Sequence, residues 1–148
     1  KIRRFAAIKE YSNVFEPIIG EPYHMKGKWR SEYFKNENPL VLELGCGKGE
    51  YTVGLAKHFP EKNFTGVDIK GARMFIGATE AIEETVSNAA FLRTKIDFIT
   101  ECFEQDEVVI GHGGDTGGDI LNNVGIVYED KVQEAIASRW CLYDLIQE

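Results

Sequence analysis

VLELGCGKGEYT, running from Val41 to Thr52, is the stretch from which the rest of the chain can be read. It opens as an apolar run broken by one acid, Glu43, the pattern of a strand buried on both faces. Gly45, Gly47 and Gly49 then alternate through the next turn. Glycine at such a turn tolerates unusual backbone angles and lets a ligand approach the main chain closely. Three ligand classes use glycine-rich turns, and the neighbouring residues separate them. A P-loop needs glycine where the chain has Leu42, and Ser or Thr after the lysine, where it has Gly49. A nicotinamide fingerprint needs glycine where the chain has Glu50, and leaves the acid in the strand without a role. S-adenosylmethionine suits E-x-G-x-G-x-G: it carries an ammonium and a sulfonium but no phosphate. The turn then cradles an amino acid and a ribose, with Glu43 near the cations. Its second requirement is an acid closing the next strand, to accept hydrogen bonds from two ribose hydroxyls. Asp68 stands there, nineteen residues after Gly49.

Outward from this point the chain alternates strand and helix patterns. EYTVGLAKHF predicts a helix ending near Pro60, and NFTGVDI a second strand. GARMFIGATEAIEETV predicts a helix with Phe75, Ala78, Ile82 and Val86 on one face. NAAFLRT reads as a third strand, IDFITECF as a short helix and EVVIG as a fourth strand. Such alternation implies a mostly parallel, doubly wound α/β sheet with right-handed crossovers and helices on both faces. Upstream, Ile2, Phe5 and Ile8 have helical spacing, and EPIIGEPYHMKGKWR, with two prolines and two glycines, predicts an irregular arm. The expected division is a basic arm over 1–38 and a cofactor-binding domain over 39–148. Beyond Ile110 a glycine-rich loop, a strand at VGIVY and a helix with Val132, Ile136, Trp140 and Tyr143 on one stripe are expected.

Composition bounds the function classes. A chain of 148 residues, 43% apolar and 28% charged, suits one domain with a sizeable core. It contains no apolar run of the roughly 18 residues that would cross a bilayer, and its basic N-terminal stretch has no signal-peptide core. Cys46, Cys102 and Cys141 are odd in number and lack CxxC spacing, so they read as reduced thiols of a cytoplasmic protein, with no metal site. Cys46 reads as a small packing residue and not a nucleophile. His112, Asp115 and Asp119 read as turn residues more readily than as metal ligands. Charge is uneven: +4 over residues 1–30, −2 over 31–100 and −9 over 101–148. A basic head on an acidic body suits a polyanion docking at one end. Lys26, Lys28 and Arg30 are the candidates for phosphate contacts. Trp29 between them either stacks on a base or anchors the arm to the core.

VLELGCGKGEYTVGLAKHFPEKNFTGVDIKGARM, with KGKW upstream and NAAFLRTKIDFI downstream, resembles the bacterial tRNA (guanine-N7-)-methyltransferases over about residues 1–108. The resemblance implies a Rossmann-like class I methyltransferase fold and S-adenosylmethionine-dependent methyl transfer to guanine N7 in tRNA. It implies a cofactor pocket at Glu43, Gly45, Gly47, Gly49 and Asp68, and an adenine contact near Thr94 and Lys95, where many members carry Asp. In that family an F-P-D-P loop follows the fourth strand and supplies an acid near the acceptor. Here DEVVIG leads into HGGDTGGD, so no catalytic residue is assigned, and the segment 111–148 departs from the family as a divergent or shortened ending. Two other functions are therefore weighed: a cofactor- or RNA-binding relative with weak or no transfer, and a methyltransferase for a different acceptor.

Overall fold

The computed structural model describes residues 9–111, together with Arg3 and Ala7. The expected N-terminal helix therefore lies mostly outside the described residues. So do His112, Asp115, Asp119 and the strand and helix read after Gly111.

Five strands, β1 (Val14–Phe15), β2 (Leu40–Leu44), β3 (Asn63–Asp68), β4 (Ala89–Arg93) and β5 (Val108–Gly111), form one sheet in the order β1-β4-β3-β2-β5. Every neighbouring pair is parallel. Helices α1 (Glu50–His58) and α2 (Gly71–Glu83) make the crossovers from β2 to β3 and from β3 to β4. The expected parallel α/β sheet is thus observed. The chain steps from β2 through β3 to β4, and β5 then returns to pair with the other edge of β2. That reversal makes the carboxyl ends of β2 and β5 a topological switch point, the position where ligands bind in open parallel sheets.

Period-two alternation sorts β2 onto two cores. Leu40, Leu42 and Leu44 join Met25, Trp29, Phe34, Leu92, Ile99 and Phe103 on one face. Val41 joins Val53, Ala56, Phe64, Met74, Ala78 and Phe91 on the other, under α1 and α2. The first face differs from expectation. Among the described residues it is covered by the arm, which ends in one π-helical turn (Trp29–Phe34), and by a 3₁₀ helix (Ile96–Glu101). The arm can do this because it supplies large aromatic side chains. Trp29 stacks on Phe103 at 5.1 Å and meets Phe15 edge-on at 4.9 Å.

The buried stripe of α2 is also corrected. Ala78 is buried as expected, but its buried companions are Met74, Gly77 and Ala81, while Ile82 is 45% exposed and Val86 packs against the core from beyond the helix end. Gly77 sets this rotation. Its N–H donates to the Lys48 carbonyl at 2.8 Å, and a Cβ there would sit 2.7 Å from that oxygen and 2.9 Å from Gly49 Cα. Backbone therefore packs on backbone, and the helix turns its small residues inward where hydrophobicity alone favours Ile82.

Candidate functional site

The glycine turn sits at the carboxyl end of β2. Gly45, Gly47 and Gly49 have φ of +79°, +56° and +76°, a region that favours glycine. The main chain of the turn is tied down beneath: the Gly45 and Cys46 N–H groups donate to the Val67 carbonyl at 2.8 and 3.0 Å. Two of the glycines serve different ends. A Cβ on Gly49 would lie 2.4 Å from the Phe91 ring, so this glycine is required by packing. A Cβ on Gly45 would meet nothing within 4 Å, so its open side is space a ligand can take.

Asp68 closes β3 beside the turn. Its Oδ2 accepts from Gly47 N–H at 2.9 Å and its Oδ1 from Lys70 N–H at 3.0 Å. Each carboxylate oxygen keeps a second lone pair for a hydroxyl donor. Thr94, just past β4, donates its N–H to the Asp68 carbonyl at 3.1 Å. Its hydroxyl is buried and has no hydrogen-bond partner among the described residues. Lys95 caps the 3₁₀ helix and is exposed.

Glu43 lies under the turn, 2% exposed, and accepts a short hydrogen bond from the Thr52 hydroxyl on α1. Burial pushes its carboxyl up to about 7, the nearby Asp68 charge adds to this, and the Thr52 hydrogen bonds oppose it. Cys46 is buried beside it, and desolvation with the two acids holds its thiol well above the usual range. That is a packing residue and not a nucleophile, as expected. Arg73, on α2, brings its guanidinium within 3.4 Å of where a Gly47 Cβ would stand. Among the described residues no group of three His, Cys, Asp or Glu could hold a metal ion, and no helix is long and apolar enough to cross a membrane.

The fold thus brings Glu43, Gly45, Gly47, Gly49, Asp68 and Thr94 together at the carboxyl end of the sheet's strands. The basic residues of the arm are elsewhere. Arg30 donates through Nε to the Asn38 carbonyl at 2.8 Å and through a terminal nitrogen to the Glu107 carbonyl at 2.9 Å, just ahead of β2 and β5. This is the amino end of the strands, roughly 15 Å away along them. The base-stacking reading of Trp29 is corrected: the side chain is 0% exposed and its indole N–H donates to the Cys102 carbonyl at 2.8 Å. It anchors the arm to the core. Lys28 is exposed and Lys26 partly so.

Sequence reading missed Thr52, Arg73, Gly66 and Glu107. Glu107 is buried and accepts from the N–H groups of Gly27 (2.9 Å), Trp29 (3.1 Å) and Glu104 (3.0 Å), pinning the arm to the core. Gly66, mid-strand in β3, was the one legible signal, because glycine inside a strand marks close approach by another group.

Comparison with known proteins bears on this site. Residues 37–109 match a family model described as a putative methyltransferase. A tRNA (guanine-N(7)-)-methyltransferase of Bacteroides fragilis is 54% identical over 112 residues, covering 73% of this chain and 44% of that one. A protein of the same name from Christiangramia forsetii is 50% identical over 112 residues, covering 73% of this chain and 50% of that one. The chain therefore spans about half the length of the relatives it matches. Over the matched residues it is similar to proteins named tRNA (guanine-N(7)-)-methyltransferase, and the resemblance read from the sequence is borne out.

Proposed function

We propose, from this kinship and the geometry of the turn, that the protein binds S-adenosylmethionine and methylates guanine N7 in tRNA, in the cytoplasm. The observation that carries the reading is a buried acid, Glu43, beneath a turn whose Gly45 faces open space, with Asp68 fixed alongside. These residues fit the group. Glu43 would offset its cationic end, the turn would accommodate its amino-acid portion, Asp68 would accept from ribose hydroxyls, and the buried Thr94 hydroxyl would be available to the adenine portion. When bound, the cofactor supplies an electrophilic methyl on a sulfonium.

The chain's own task is positioning and exclusion of water. Guanine N7 presents a lone pair and no proton, so no general base is required. An acid near the acceptor would offset the charge that develops on the purine. Lys26 and Lys28 remain candidates for phosphate contacts. Asp68→Ala is expected to weaken cofactor binding by about 1–3 kcal/mol, through lost hydrogen bonds to a charged acceptor. Titration calorimetry with S-adenosylmethionine and S-adenosylhomocysteine tests this, and absence of heat on folded protein would end the proposal.

A second reading, cofactor binding with weak or no transfer to tRNA, is favoured by one observation. No Pro-Asp-Pro follows β5, the strand read from EVVIG, where the family resemblance calls for an acceptor-side acid. Radiolabelled methyl transfer to unmodified tRNA, run beside a longer relative, separates the two. Comparable turnover would exclude the second reading.

A further inference from the structure

We propose that Thr52 is a positioning residue for the cofactor site: its hydroxyl, in a space that Gly66 keeps open, holds the Glu43 carboxylate where the ligand's cationic end arrives. The proposal rests on the cofactor reading above.

Three observations combine. Glu43 and Gly66 are register partners on β2 and β3, so Gly66 lies directly beside the acid. An alanine Cβ at Gly66 would stand 2.7 Å from Thr52 Oγ1 and 2.9 Å from Cys46 Cβ. The missing side chain on β3 is therefore what lets Thr52 reach across from α1. Finally, both hydrogen bonds that favour the ionised carboxylate come from Thr52, one from its hydroxyl and one from its main chain.

The other titratable groups around this pair are Asp68 at the end of β3, the Cys46 thiol in the turn and Arg73 on α2. Asp68 and burial both push Glu43 toward its neutral form, and burial does so more strongly. A neutral carboxyl gives a cation far less to bind. Losing the Thr52 hydroxyl would remove the stronger of the two hydrogen bonds that favour the buried carboxylate, leaving the one from the Thr52 main chain, and shift the balance toward taking up a proton. The hydroxyl thus acts on the ligand through Glu43 and touches no reacting atom.

The test compares Thr52→Val, which keeps the shape and removes the donor, with Thr52→Ser, which keeps the donor. Thr52→Ala repeats the test should the valine variant fold poorly. In ligand-free protein, carboxyl-detected NMR should show Glu43 titrating about one pH unit higher in Thr52→Val, the equivalent of one ordinary hydrogen bond. Calorimetry with S-adenosylhomocysteine, which keeps the ammonium, should show affinity about fivefold lower at pH 7, following the fall in the ionised fraction of Glu43. The pH at which binding develops should move upward with the titration, and Thr52→Ser should restore both. A folded Thr52→Val protein with unchanged affinity would overturn the proposal, even if Glu43 titrates differently, because the pairing would then be structural only. If the unsubstituted chain binds no cofactor, the cofactor reading itself falls and this one with it. If the unsubstituted chain and Thr52→Val bind equally, only this one falls.

Discussion

Glu43→Gln should make the protein more stable and a poorer binder at once. A buried acid whose carboxyl is pushed from 4.5 up to about 7 in the folded chain keeps its proton there while the unfolded chain gives it up. The folded state then binds more protons than the unfolded state between those two values. Stability from this group is fully present below about pH 4.5 and is lost as pH rises through about 7. With 1.36 kcal/mol per unit, the loss reaches on the order of 3 kcal/mol at pH 8 and only about 1 kcal/mol at pH 5. Glutamine has nearly the same shape, can still accept from Thr52 and does not ionise. The stability advantage of Glu43→Gln over the unsubstituted chain should therefore grow by roughly 2 kcal/mol between pH 5 and pH 8. Taking the difference between the two proteins cancels the titrating groups that do not interact with Glu43, leaving its own ionisation and its coupling to Asp68 and Cys46. Urea unfolding followed by tryptophan fluorescence at the two pH values reads it, with calorimetry on the same samples showing weaker cofactor binding. A difference that stays constant with pH, or shrinks, would refute the argument that Glu43 is held neutral by burial.

Three further outcomes are expected. Glu107→Ala strips the acceptor from three main-chain N–H groups, of which Trp29's is buried, and should cost about 2–4 kcal/mol in denaturant unfolding with a red-shifted Trp29 emission. Gly49→Ala forces a Cβ against Phe91 and should destabilise the fold by more than about 2 kcal/mol, whereas Gly45→Ala meets open space and should cost only about 1–2 kcal/mol of backbone strain while abolishing cofactor binding; equal thermal shifts for the two would contradict this contrast. Lys26→Glu combined with Lys28→Glu should weaken tRNA binding and flatten its salt dependence while leaving cofactor affinity unchanged, since Gly27 and Trp29, which flank Lys28, are held by Glu107 at the amino end of the sheet; filter binding across a salt series, beside calorimetry, decides it.

By itself, the sequence determined the strand order of events and the chemistry of the turn. Leu40–Leu44 could only be a two-sided buried strand, and a glycine turn ahead of a helix, with acids at Glu43 and Asp68, is local information written in adjacent residues. These features follow from backbone conformation and period-two burial, which act over a few residues. What the tertiary structure alone decided involves groups far apart in the chain. Trp29 and the arm cover a sheet face because Glu107, 78 positions later, accepts their N–H groups. The inward face of α2 was set by Gly77 meeting the Lys48 carbonyl, a contact that no helical periodicity encodes. Thr52 finds Glu43 because Gly66, on another strand, vacates the space between them. Periodicity reports which residues avoid water, but which main-chain groups come into contact depends on how the elements close on one another. For that reason the acids and glycines of the site were legible in the sequence, and the residues that hold them in place were not.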